Sequence, residues 1–80
     1  MYAKTADLAS QYSINRSTVY RIIKEMQASN RYPRSAIIGE GKRRRIDQDA
    51  FQDYYENMDW LRHPNMKKYV KPYKGRSNNG

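Results

Sequence analysis

Four apolar side chains in the first half of the chain recur every three or four positions, and this spacing constrains the fold more than any other feature. Asn15 precedes them and can cap a helix. The pattern predicts an amphipathic α-helix over residues 16 to about 28. Because the chain has 80 residues, the rest of it must cover the apolar side of this helix within one small domain. The four residues are Val19, Ile22, Ile23 and Met26.

Two further helices are predicted, one on each side of the first. Thr5 can accept hydrogen bonds from the free amides that start a helix over residues 6–12, and Asp7 suits the positive end of its dipole. Asp47 can cap a helix over residues 48 to about 62, whose apolar side chains also recur at helical spacing and are expected to close the core. These side chains are Phe51, Tyr54 or Tyr55, Met58 and Leu61.

The segment between the second and third helices is predicted to form a β-hairpin. Pro33 disfavours helix at Tyr32 and indicates an extended connection. Residues 36–38 and 43–46 are short strand candidates, and the loop between them contains two glycines, which permit the positive φ angles of hairpin loops. The expected fold class is therefore mostly α with a small two-stranded hairpin.

Charge is distributed unevenly along the chain, whose sixteen basic and eight acidic residues give a net charge of +8. Residues 1–46 and 62–80 are strongly basic, whereas residues 47–61 contain five acids and no base. Such a balance favours a polyanionic partner, with nucleic acid ahead of an anionic membrane. We expect the acidic segment to face away from any phosphate surface.

The composition argues against several other classes of protein. With no cysteine and one histidine, His63, neither a disulfide framework nor a thiolate zinc site is expected. The acids of residues 47–61 lack a histidine partner or a calcium-loop pattern, so they are interpreted as helix-dipole and repulsive charges. No apolar run approaches the roughly 20 residues that span a bilayer, and no signal core is present. We expect a cytoplasmic protein with no enzymatic activity and no cofactor.

The first two helices carry the pattern of a helix-turn-helix. Leu8, Tyr12, Ile14, Val19 and Ile22 are spaced to lock two helices together, with the small Ala9 where they cross. The outer face of the second helix is polar and basic, which favours DNA contacts; the alternative is an ordinary helix pair with solvated side chains. The candidate DNA-binding residues on it are Asn15, Arg16, Ser17, Thr18, Tyr20, Arg21 and Lys24.

Roles for these side chains follow from their chemistry. Arg16 and Arg21 are the candidates for reading bases in the major groove. Lys24 is expected to contact phosphate, while Ser17, Thr18 and Tyr20 suit phosphates or a thymine methyl group.

The predicted hairpin adds a second basic feature, which can reach the minor groove or the flanking phosphates; a solvated charge run is the alternative. Because side chains alternate along a strand, Arg43 and Arg45 are expected on one face, and Arg44 and Ile46 on the other with Ile46 in the core. The candidates here are Lys42, Arg43, Arg44 and Arg45.

These features in order resemble a known family. Residues 5–9 and 15–22 are similar to the bacterial and phage helix-turn-helix, although Ser13 stands where that family usually has glycine. With the hairpin ending Arg44-Arg45-Ile46-Asp47, residues 4–62 resemble small winged-helix proteins of the excisionase and MerR-like group. The resemblance implies a winged helix-turn-helix over residues 1–62 that binds repeated sites cooperatively, bends DNA and turns an integrase towards excision, without catalysis of its own.

Other functions stay open beside this one. The same fold would serve a phage or plasmid transcriptional regulator, and an adaptor that binds protein is a more distant alternative. Because one half-site is bound weakly, a dimer or a cooperative array on double-stranded DNA is expected. Residues 63–80 are expected to form a flexible basic tail that contacts DNA, docks on a recombinase or another protomer, or only aids solubility. Its charges are Lys67, Lys68, Lys71, Lys74 and Arg76.

Overall fold

A computed structural model describes residues 1–63 and 65–73 of the chain. It is mostly helical with a small antiparallel sheet, as the coarse fold class predicts. Short 3₁₀ turns occupy Arg34–Ala36, Gly41–Arg43 and Lys67–Tyr69. The helices are α1 (Thr5–Tyr12), α2 (Arg16–Ser29) and α3 (Gln48–Leu61), and the strands are β1 (Tyr2–Ala3), β2 (Ile37–Ile38) and β3 (Arg45–Asp47).

The sheet contains the predicted hairpin and one strand that the sequence did not indicate. β2 pairs antiparallel with β3, with Ile37 opposite Ile46. On the other edge of β3, β1 adds a third strand, with Ala3 opposite the same Ile46. Strand β1 has only two residues, too few to show an alternating pattern. Strand β3 of the hairpin is therefore the central strand of the sheet, whose order is β1-β3-β2.

The predicted strand over residues 43–46 is partly wrong, because β3 begins at Arg45. A 3₁₀ turn takes up Gly41–Arg43, and Arg44 follows it as an extended residue. Arg43 and Arg44 lie outside β3, so the prediction that Arg43 and Arg45 share one face of a strand does not hold. Ile46 is buried in the core, as predicted.

The core lies where the three helices and the sheet meet. Leu8, Val19 and Ile22 of the predicted locking set are fully buried, and Ala9, Tyr12 and Ile14 are partly buried against them. In α3 the buried tyrosine is Tyr54, while Tyr55 is half-buried. Trp60 is 46% exposed, and its ring lies edge-on to the Tyr69 ring, 6.1 Å between centroids.

The helix ends agree with the predictions except at α1. Helix α1 begins at Thr5 itself, so Lys4 is the N-cap residue, and the Asp7 carboxylate accepts a hydrogen bond from the Lys4 amide at 3.3 Å. Asn15 occupies the N-cap position of α2 without a side-chain cap hydrogen bond. Asp47 caps α3 as predicted, its carboxylate accepting from the Asp49 amide at 3.0 Å.

Residues beyond α3 fold back against the domain, although their composition predicts little to bury. The Lys71 carbonyl accepts a hydrogen bond from Arg31 at 2.5 Å, and the Tyr73 ring packs edge-on against Tyr32, 4.9 Å between centroids. The packed chain thus extends past the predicted domain boundary at residue 62. Lys74 and Arg76, named above as tail charges, lie outside the described residues.

Candidate nucleic-acid interface

The α1–α2 connection is a three-residue turn whose geometry depends on Ser13. Ser13 has a left-handed backbone (φ 56°, ψ 45°), the conformation in which glycine is favoured. The Ser13 amide donates a hydrogen bond to the Ser10 carbonyl at 3.3 Å, and the Ile14 amide donates one to the Ala9 carbonyl at 2.9 Å. These two bonds form a Schellman motif that ends α1. The turn therefore keeps the path that a glycine would give, at a conformational cost.

The candidate residues of α2 share its solvent-facing side. Asn15, Arg16, Ser17, Arg21 and Lys24 are exposed. Tyr20 lies among them and is 47% exposed. Thr18 is half-buried at the margin of the face, so it is the least accessible of the seven. Opposite them, Val19, Ile22, Ile23 and Met26 are buried in the core.

The cations on this face are not held by ion pairs within the described chain. Neither Arg16, Arg21 nor Lys24 makes an ion pair or a side-chain hydrogen bond with residues 1–63 or 65–73. The two arginines in the described ion pairs lie elsewhere: Arg31 follows α2 and Arg62 follows α3. The outer face of α2, comprising residues 15–18, 20, 21 and 24, therefore presents unneutralised positive charge, which we call the cationic face.

The one acid of α2 is held by α3. Glu25 Oε1 lies 2.9 Å from Arg62 Nε and Oε2 lies 3.2 Å from Arg62 Nη2, and the Tyr54 hydroxyl donates to Oε1 at 2.7 Å. Burial by itself would raise the pKa of Glu25, but the hydrogen bonds from Arg62 and Tyr54 together lower it. The carboxylate is therefore ionised and paired at neutral pH.

The hairpin turn presents its basic residues unequally. Lys42 and Arg43 are exposed, whereas Arg44 and Arg45 are partly buried. Arg45 Nη1 donates hydrogen bonds to the carbonyls of Lys42 at 3.3 Å and Arg44 at 2.9 Å. These two hydrogen bonds stabilise the backbone of the turn. Arg44 Nε is buried without a hydrogen-bond partner in the described chain. Of the four candidates, Lys42 and Arg43 are therefore the two most accessible to a partner.

Two acids of α3, Asp53 and Glu56, accept hydrogen bonds from other side chains. Asp53 pairs with Arg31 at 2.9 Å and accepts a hydrogen bond from the Tyr32 hydroxyl at 2.7 Å. Burial raises the pKa of Tyr32, and the hydrogen bond to Asp53 raises it further. Glu56 accepts from Gln52 at 2.9 Å. Within residues 1–63 and 65–73, no group of three histidines, cysteines or acids is placed to hold a metal ion. Helix α3 packs on the buried side of α2, away from the cationic face.

The residues that sequence reasoning missed are the ones that pair across the fold. The sequence pattern predicts Arg62 at the end of a helix and Arg31 in an extended connection, yet their guanidinium groups pair with Glu25 and Asp53. The partners are 37 and 22 positions apart. Charge alone cannot select such partners among eight acids.

None of the described helices is long and apolar enough to cross a membrane. Comparison with protein families, with curated proteins and with solved structures finds no match to this chain.

Proposed function

We propose that this protein binds double-stranded DNA sequence-specifically, as a winged helix-turn-helix whose helix α2 enters the major groove. The observation that carries the proposal is the cationic face of α2, where Arg16, Arg21 and Lys24 are exposed and unpaired. Unpaired cations on one helix face are the electrostatic requirement for docking on phosphate-flanked bases. The apolar side of the same helix is locked into the core, so the face is presented rigidly.

The division of labour on α2 follows position and side-chain chemistry. Arg16 and Arg21 reach base edges, with the guanidinium fork suited to guanine O6 and N7. Lys24 contacts phosphate, and Ser17, Thr18 and the Tyr20 ring contact phosphate or a thymine methyl group. Asn15 stands at the N-terminus of α2, where free backbone amides favour a phosphate.

The turn over residues 39–44 acts as the wing. Lys42 and Arg43 extend from it into solvent and contact the flanking backbone or the minor groove. Arg45 braces the turn from inside. Arg44 lies at the base of the wing, where its side chain is partly buried, and it adds positive charge there.

In the cell we propose the role of an excisionase-like architectural factor, which binds repeated sites, bends them and redirects an integrase. The small size of the domain supports this role, because one such module covers only a half-site and gains useful affinity through a second copy or a cooperative array. Bending is measured by gel mobility of circularly permuted sites. Promoter repression without bending would identify a regulator instead.

The test of DNA recognition begins with selection of bound duplexes from a random pool. Affinity for the winning duplex and for a scrambled duplex is then compared among the wild type, Arg16→Ala, Arg21→Ala and Lys24→Ala. Arg34→Ala is the matched control, since Arg34 is an exposed cation in the 3₁₀ turn after α2 and is not one of the candidate DNA-binding residues. We expect the arginine variants to lose about tenfold or more on the selected site only, and Lys24→Ala to weaken both duplexes alike. Equal loss for all four variants, or no salt-dependent affinity, contradicts the proposal.

A further inference from the structure

Glu25 lies one helical turn after Arg21, at the edge of the cationic face. Residues four apart on a helix are neighbours, so an arginine and a glutamate at these positions can form an ion pair. Arg21 is close enough to contribute to the electrostatic lowering of the Glu25 pKa. In the structure, however, Glu25 turns towards α3 and makes no ion pair with Arg21.

The competing partner holds the carboxylate by two hydrogen bonds. Arg62 donates Nε and Nη2 to the two carboxylate oxygens, at 2.9 and 3.2 Å, in the forked geometry that strengthens arginine–carboxylate pairs. Tyr54 occupies a further lone pair of Oε1 at 2.7 Å. The Glu25 side chain is 27% exposed, so it lies close enough to solvent to face a bound phosphate if it were released.

We propose that Arg62 is a positioning residue for DNA recognition: by holding Glu25 against α3, it leaves Arg21 available to the DNA. The inference rests on the DNA-binding function proposed above. Arg62 itself need not touch DNA, because it acts through the carboxylate.

Loss of Arg62 has two consequences for the cationic face. The freed Glu25 carboxylate keeps the hydrogen bond from Tyr54, and the nearby cation is now Arg21, one helical turn away. Glu25 and Arg21 then form an ion pair within α2. DNA must break this ion pair before it can bind Arg21. When DNA binding breaks that pair, the released negative charge of Glu25 lies beside the phosphate backbone and repels it. Both effects weaken binding, and both disappear if residue 25 is uncharged.

The test is a rescue experiment on the full-length chain. Affinity for the selected duplex is measured over a range of salt concentrations for the wild type, Arg62→Ala, Glu25→Gln, the double variant Glu25→Gln/Arg62→Ala, Arg21→Ala and Arg21→Ala/Arg62→Ala. We expect Arg62→Ala to weaken binding about two- to fivefold and the double variant with Glu25→Gln to restore it. Arg62→Ala should add little to Arg21→Ala. Arg34→Ala is the control for the loss of one positive charge.

Each other outcome contradicts the inference in a recognisable way. If Glu25→Gln fails to rescue Arg62→Ala, Arg62 contacts DNA directly or acts only through folding. If Arg21→Ala weakens binding while Arg62→Ala does not, DNA recognition stands and the positioning role falls. If the wild type has no salt-dependent affinity for duplex DNA, the proposed function itself fails. Thermal unfolding is measured for every variant, and Arg62→Gln replaces the alanine variant if that one unfolds.

Discussion

The backbone of Gly39 lies so close to Arg43 that a Cβ atom at position 39 would overlap the Arg43 carbonyl oxygen and come within 2.9 Å of the carbonyl carbon. Gly39 also has a positive φ of 74°. The turn that carries Lys42 and Arg43 therefore closes only with glycine at its start. We expect Gly39→Ala to open this turn, destabilise the protein by about 2 kcal/mol or more, and weaken DNA binding.

Gly41→Ala is the matched control, because Gly41 has a positive φ of 55° but nothing within 4 Å of an added Cβ. It retains the backbone strain without the overlap, so its cost should be about 1 kcal/mol. Chemical denaturation measures both values. Equal losses for the two variants would show that the close approach to Arg43 has no energetic weight.

Ser13 gives a prediction in the opposite direction. A non-glycine residue in the left-handed region costs about 1 kcal/mol, and Ser13 has φ 56°. We expect Ser13→Gly to stabilise the protein by up to about 1 kcal/mol, which raises Tm by about 4–8 °C in a domain of this size. Ser10→Gly, on the exposed side of α1, should lower Tm because glycine is unfavourable within a helix. A fall in Tm for Ser13→Gly would mean that its hydroxyl matters more than its backbone.

Two arginines of the hairpin are expected to differ in their effect on the salt dependence of the proposed DNA binding. Arg43 is exposed and free to meet a phosphate, whereas Arg45 donates to the Lys42 and Arg44 carbonyls. Arg43→Ala should reduce the slope of log affinity against log salt by about 0.9, the value of one lost phosphate contact. Arg45→Ala should weaken binding with the slope unchanged and speed amide exchange in residues 39–44. A reduced slope for Arg45→Ala would identify it as a direct phosphate contact.

Helical periodicity predicted the three helices to within one or two residues at their ends, because buried apolar residues on α2 and α3 recur at the period of the helix. The hairpin followed from Gly39 and Gly41, both of which do have positive φ. These features are local, so a single sequence contains them.

The features that were missed depend on chain segments far apart in sequence. Strand β1 forms because Ala3 pairs with Ile46 at the free edge of β3. No pattern in residues 2–3 indicates this pairing. The packing of Tyr73 on Tyr32 joins residues that composition placed in a tail and a linker. At the candidate site, the sequence pattern identifies the basic residues. The hydrogen bonds from Arg45 to the turn and from Arg62 to Glu25 are seen only in the folded structure.

The Glu25–Arg62 pair also makes stability depend on pH in a defined direction. The pKa of Glu25 is lower in the folded protein than its ordinary value, despite the opposing effect of burial. A depressed folded pKa contributes stability above the unfolded pKa of about 4.3, and this stability is lost as the pH falls through the folded pKa. The wild type should therefore exceed Glu25→Gln in Tm at pH 7, and this difference should shrink as the pH falls from about 5 to 3.

Two measurements isolate this pair from the other acids. Glu56→Gln removes a carboxylate whose hydrogen-bond partner is the neutral Gln52, so its Tm should follow the wild type far more closely at pH 7. Since both members of the pair are partly exposed, at 38% for Arg62 and 27% for Glu25, added salt should also narrow the gap between wild type and Glu25→Gln. A gap that stays constant from pH 7 to pH 3 would show that the Glu25 carboxylate does not stabilise the fold through its charge, and the positioning role of Arg62 would then lack its physical basis.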